Sequence, residues 1–135
     1  MNEIYKVAGV IVRDRKLLVV RTRGKPTFYA PGGKPETGEE PLAALTRELK
    51  EELTIDVQED QLEPFGTYQA EAADDNQRML TMDAFIVKEW RGEIQPSAEI
   101  EEIKWVTAEQ AKHVKLGSIF QTKIAPKLHA NGVID

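Results

Sequence analysis

The chain contains no cysteine and only two histidines, His113 and His129. Without a thiol there is no disulfide framework, no thiolate zinc site and no cysteine nucleophile. Two isolated histidines do not build a His-rich metal centre. No run approaches the roughly 18 apolar residues of a spanning helix. Met1–Lys6 is polar and lacks the apolar stretch of a signal peptide. These absences point to a cytoplasmic protein with no membrane partner. At 135 residues the chain is too short for a TIM barrel or a two-domain dehydrogenase. It suits one domain over residues 1–135, large enough to bury roughly two-thirds of the surface its unfolded form exposes. The 23 acidic residues outnumber the 18 basic ones, for a formal net charge of −5. That weighs against a general nucleic-acid binder, which carries a basic patch. It leaves room for a phosphate substrate that arrives with a divalent cation.

No internal repeat, low-complexity tract or linker divides the chain. Tyr5–Val12 reads as a buried strand, Asp14-Arg15 as a tight turn and Leu17–Arg23 as the partner strand of a hairpin. Pro26 and Pro31-Gly32-Gly33 punctuate the next stretch around a short apolar piece, Phe28–Ala30. A helix is expected from about Glu40 to Leu53, with Pro41 in its first turn. Thr37-x-x-Glu40 offers a capping box one register earlier. Leu62–Gln69, Met79–Lys88 and Ile100–Val106 read as further strands, and Glu71–Gln77 as an exposed loop. Thr107 suits the N-cap of a helix Ala108–Val114. Leu116–His129 suits a last helix that Pro126 interrupts or bends. Met79 and Met82 read as packing residues, and both histidines as helix-surface residues. The expected class is α+β, a mixed sheet flanked by helices.

The helix Pro41–Leu53 carries the chemistry. At about 100° per residue, Leu42, Leu45, Leu49 and Leu53 share an apolar stripe about 80° wide. Glu48, Glu51 and Glu52 occupy a separate arc about 100° wide beside it, so the three carboxylates can converge. Like charges at i,i+3 and i,i+4 are unfavourable without a counter-ion. A divalent cation reverses the sign, and hard oxygen ligands suit Mg²⁺. A solvated charged face, with Arg47 and Lys50 balancing the acids, is the common alternative for such a helix. Gly32 and Gly33 just ahead of it let backbone approach a metal or ligand closely; a plain strand-to-helix turn reads equally well. Neither a P-loop nor G-x-G-x-x-G is present.

Gly33-Lys34-Pro35-Glu36-Thr37-Gly38-Glu39, then the seven residues Glu40 to Thr46, then Arg47-Glu48-Leu49-Lys50-Glu51-Glu52-Leu53-Thr54-Ile55, resembles the Nudix box, G-x5-E-x7-R-E-U-x-E-E-x-G-U. The segment from Phe28 to Gly32 and the late strand Glu99–Val106, ending near Trp105, are also similar to that family. The one departure is Thr54 where the box has its last glycine, which puts the helix cap in question rather than the chemistry. The resemblance implies a Nudix-type α/β/α sandwich. It also implies hydrolysis of a nucleoside diphosphate linked to another moiety, with Mg²⁺ or Mn²⁺. By position, Glu48, Glu51 and Glu52 are its catalytic and metal-binding carboxylates. Gly32 or Gly33 adds a backbone carbonyl, Arg47 orients the acids, and Gly33 and Glu39 are structural members of the box. Bound Mg²⁺ neutralises phosphate charge and acidifies a water, and no covalent intermediate is needed.

The general base is left among Glu52, Glu48 and the acids near Trp105. Strand alternation puts Glu99 and Glu101 on one side and Glu102 on the other. Arg21, Arg23 and Lys25 are candidates for terminal phosphates, with strand-edge charge as the alternative. Phe28, Tyr29 or Tyr68 could stack on a base, and Glu101 joins Arg21, Arg23 and Phe28 as a substrate-binding candidate; aromatics in such strands are commonly core. Asp74-Asp75-Asn76 lacks EF-hand spacing. The leading substrates are (d)NTPs or their oxidised forms, giving NMP and pyrophosphate. The alternatives are ADP-ribose, whose group carries an accessory proline not found here, nucleotide sugars, triphosphorylated RNA ends, or binding without turnover. A small-molecule nucleotide is the partner; a homodimer stays open.

Overall fold

A computed structural model describes residues 3–71 and 78–135; Asp74-Asp75-Asn76 and most of the expected 71–77 loop lie outside them. The expected first strand divides at Ile11. Strand β1 (Glu3–Val10) belongs to one sheet, and β2 (Val12–Arg13) to a second. Ile11 is fully buried where the chain changes sheets, and its carbonyl accepts from the Leu18 N–H at 2.9 Å. Asp14 and Arg15 close the hairpin to β3 (Lys16–Thr22), both with positive φ, 53° and 62°. That left-handed pair suits the right-handed twist of the strands.

The remaining elements are β4 (Phe28–Tyr29), β5 (Gly32–Gly33), α1 (Pro41–Leu53), β6 (Leu62–Glu71), β7 (Met79–Val87), β8 (Ile100–Val106), α2 (Ala108–His113) and α3 (Ala125–Ala130). The first sheet runs β5-β1-β7-β6 and is mixed: β1 is parallel to β7, and the other neighbours are antiparallel. In the second, β3 pairs with β2, β4 and β8, all antiparallel. Gly32-Gly33, read from sequence as punctuation, is therefore a paired strand, with Val7 opposite Gly33 and Ala8 opposite Gly32.

Each sheet has two buried faces. Val7, Leu18 and Val20 join Leu45, Leu49 and Leu53 of α1 on one side. Ala8, Leu17 and Val19 join Phe120, Ile124 and Leu128 of the C-terminal helix on the other. Strand alternation thus sends neighbouring residues to opposite layers, and the result is helix, sheet, helix. Leu45, Leu49 and Leu53 are fully buried, whereas Leu42 at the stripe's outer end is half-buried. Pro126 does not break the last helix. Ahead of it the turn Phe120–Ile124 widens to a π-helix, and the Ala125 N–H reaches back to Phe120 O. A proline has no N–H and crowds the carbonyl four residues earlier, and a wider turn accommodates both defects.

The start of α1 also differs from the capping-box reading. Glu40 is the N-cap and makes no side-chain cap bond. The helix ends on Thr54, left-handed at φ 61°, where glycine would sit without strain. Its hydroxyl donates to Glu93 O at 2.9 Å, which offsets the strain. Thr54→Val keeps the strained φ and loses that bond, so it should destabilise by about 1–2 kcal/mol. Thr54→Gly loses both and should be close to neutral. Urea unfolding of the two variants checks the difference.

Candidate active site

The leucines of α1 face the sheets, and this turns Glu48 and Glu52 toward the strand Gly32–Gly33. Glu52 is 6% exposed, the one buried charged residue among those described. Its Oε1 accepts from the Gly32 N–H at 2.9 Å. Burial pushes its carboxyl up to about 8; the Gly32 N–H opposes the shift, and the charges of Glu48, Glu99 and Glu51 add to it. Glu48 is also raised, first by burial, with the Arg47 guanidinium pulling the other way. Gly32 holds φ 142°, and a Cβ there would run into the Val7 carbonyl. A Cβ on Gly33 would meet the Glu48 carboxylate, 2.8 Å from its Cδ. Only glycines allow helix and strand to approach this closely.

Arg47 holds the acids. Its Nη1 donates to Glu48 at 2.7 Å and to Glu51 at 3.2 Å. Its Nε and Nη2 grip both oxygens of Glu39 at 2.8 and 2.9 Å. Glu39 in turn accepts from the Glu36 N–H at 2.8 Å. The expected convergence of three carboxylates is therefore not what the structure holds: Glu48 and Glu51 share Arg47, while Glu52 turns to Gly32. Among the described residues no three acidic or imidazole groups are gathered closely enough to hold a metal as they stand. The chemistry of the set still fits a hard divalent cation. It is all carboxylate oxygen, partly desolvated, with like charges adjacent and one arginine shared among them. Gly32 contributes its N–H to Glu52.

A cleft of about 560 Å³ opens beside Glu52. Lys6, Leu80 and Met82 line it from the first sheet, Tyr29 and Gly32–Lys34 from the β4–β5 region, and Ser118 and Ile119 from the last helix. Lys25 and Arg78 also line it, so a chain of net negative charge presents several cations here. Lys6 was not singled out from the sequence. The available signal was a lone lysine in an apolar strand, on the same face as Ile4 and Ala8. Burial lowers its pKa, with Lys34 adding to the effect and Glu52 opposing it.

Several expected substrate residues are engaged elsewhere. Phe28 is 6% exposed and belongs to the core, so its ring is not available for stacking. Its neighbour Tyr29, on the opposite face of β4, is 37% exposed in the cleft. Tyr68 packs against the core, its hydroxyl buried and without a partner among the described residues. Arg21 donates to Glu101, Glu102 and the Lys25 carbonyl at 3.0–3.2 Å and does not line the cleft. Glu101 is correspondingly its ion-pair partner. Alternation was expected to separate Glu101 from Glu102. A bulge where Arg21 pairs Glu102 but Thr22 pairs Ile100 brings both to one guanidinium. Of the late acids, Glu99 is the one whose charge reaches Glu48 and Glu52. The exposed Arg23 holds the Glu99 carbonyl through its N–H at 2.8 Å. Both histidines lie exposed, as read.

A family model described as the NUDIX domain matches residues 5–128. The chain is 42% identical over 98 residues to an 8-oxo-dGTP diphosphatase of Proteus vulgaris, covering 69% of this chain and 83% of that protein. It is 32% identical over 98 residues to an 8-oxo-dGTP diphosphatase of Escherichia coli K12, covering 69% and 72%. The solution structure of the E. coli ORF135 protein superposes with a TM-score of 0.76 at 29% identity, over 97% of this chain and 94% of that one.

Glu39 supplies a pH signature independent of any ligand. The Arg47 guanidinium, and then the Glu36 N–H, hold its carboxyl at about 2 against an ordinary 4.5. A folded-state pKa depressed below the unfolded one adds stability above the unfolded pKa, lost as pH falls toward the folded value. Glu39→Gln should therefore be less stable at pH 7 and lose less stability than the parent between pH 4.5 and 2. Denaturant titrations across that range check both.

Proposed function

Because the chain belongs to the NUDIX domain family, we propose that it hydrolyses the phosphoanhydride of nucleoside triphosphates, oxidised forms included, to the monophosphate and pyrophosphate. The observation that carries this reading is Glu52, buried beneath the Gly32 amide at the wall of the cleft. Placing an unpaired carboxylate there costs stability; a catalytic task accounts for its presence.

Glu48, Glu51 and Glu52 are the residues that would hold Mg²⁺ or Mn²⁺. When bound, the ion neutralises charge on the phosphate oxygens and acidifies the attacking water. Arg47 holds Glu48 and Glu51 together and is itself fixed by Glu39. Lys25, Lys34 and Arg78 line the cleft and offer positive charge to the phosphates. The proton acceptors we propose for the water are Glu52, at the cleft wall, and Glu99, whose charge reaches it. Names of relatives support the triphosphate class: two of them are 8-oxo-dGTP diphosphatases. In this proposal residues 1–135 act as one domain on small nucleotides in the cytoplasm.

The test is a panel of dNTPs, 8-oxo-dGTP, ADP-ribose, nucleotide sugars and triphosphorylated RNA, with Mg²⁺ or with EDTA. Metal-dependent release of NMP and pyrophosphate is expected. Glu52→Gln should lower kcat by about 10²–10⁴-fold. Above pH 8, where the parent side chain is a buried carboxylate, the variant's melting temperature should hold or rise, since the neutral amide still accepts from Gly32. Turnover of ADP-ribose alone would move the substrate class. Binding without any product would overturn the enzymatic reading.

A further inference from the structure

Lys6 sits on the cleft face of β1, in register with Met82 of β7, while Ile4 beside it pairs with Leu80. Apolar Ile4, Leu80 and Met82 flank it, and Lys34, Arg78 and Glu52 line the same cleft. Lys6 makes no hydrogen bond or ion pair among the described residues. Its ammonium lies 5.8 Å from the centre of the Tyr29 ring. A half-buried ammonium whose contact is an aromatic face is a donor without an acceptor.

The backbone beside Tyr29 is held in place. The Phe28 N–H donates to Lys115 O at 2.7 Å, and the Gly117 N–H to Phe28 O at 2.9 Å. Gly117 then lies so close that a Cβ there would stand 3.0 Å from the ring. A ring open to a cleft and backed on one side is a stacking platform for a flat ligand. The Lys6 ammonium, over the same ring at 5.8 Å from its centre, meets that ligand's polar atoms.

We propose that Lys6 and Tyr29 form a base-reading subsite that selects nucleobases carrying carbonyl oxygens, guanine and thymine, over adenine. The inference rests on the cleft taking a nucleotide. Lysine only donates. Guanine offers it the acceptors O6 and N7 side by side and thymine offers O4, whereas adenine sets the N6 amine beside N7. Lys6 thus meets an acceptor on one class and a competing donor on the other.

The experiment compares kcat/KM for dGTP, 8-oxo-dGTP, dTTP and dATP in the parent, Lys6→Met and Lys6→Arg. Lys6→Met should lower kcat/KM for dGTP and dTTP by about tenfold through KM, lower it less for 8-oxo-dGTP, whose protonated N7 leaves O6 as the acceptor on that edge, and leave dATP within about twofold. Lys6→Arg should restore most of the preference, because arginine donates to the same atoms. An equal loss on all four nucleotides would place Lys6 on the phosphates and overturn the proposal, as would an unchanged preference. If the parent turns over none of the four, the proposed function fails. The subsite is then judged by calorimetry with dGMP and dAMP: a dGMP preference lost in Lys6→Met supports it, and equal affinities overturn it.

Discussion

The seating of α1 on the strand Gly32–Gly33 is the constraint on which the rest depends. The fully buried stripe Leu45, Leu49 and Leu53 drives the helix against both sheets. Because that stripe is fixed, Glu48 and Glu52 have no freedom to turn to solvent. Glu48 is pressed against Gly33, and Glu52 lies under the Gly32 amide. Hydrophobic packing thus holds carboxylates where electrostatics alone would not leave them. Each buried leucine contributes about 1.5–3 kcal/mol, which offsets the cost of the acids beside it.

Arg47 makes this arrangement tolerable. One guanidinium serves Glu39, Glu48 and Glu51, and its two-pronged grip on Glu39 sets its orientation. Planar, two-pronged geometry is what lysine lacks. Glu52 is outside this network, so its charge is the least compensated of the group.

The stretch from Gly33 to Ile55 was legible because its parts act locally. Helical spacing sorts leucines from glutamates, and the glycines mark a close approach. Geometry that depends on distant pairing was not. Ile11 changes sheets because its neighbours pair in different sheets, and nothing in Tyr5–Val12 marks that. Glu101 and Glu102 meet one arginine because of a bulge opposite Arg21 and Thr22. Phe28 and Tyr29 have the same strand preference; the side of β4 that faces the core is set by pairing with Val20 and Arg21. Pro126 was correctly seen as a disturbance, yet whether a helix ends or widens depends on Phe120 and Ile124 being buried on either side of the turn.

The cleft's wall and its acidic group come from different parts of the chain, with different rules. The acids lie within one helix and its preceding strand. Lys6 comes from β1, Tyr29 from β4, Leu80 and Met82 from β7, and Ser118 from the start of the last helix. None of those positions belongs to the apolar group that seats α1. Chemistry and selectivity can therefore vary separately on this scaffold. Lys6 illustrates it: as a strand residue it would be replaceable by any apolar side chain, at no cost to β1. A lysine there desolvates its charge, and the Tyr29 ring and Glu52 do not fully offset that, since its pKa stays lowered; the proposed subsite gives that cost a use.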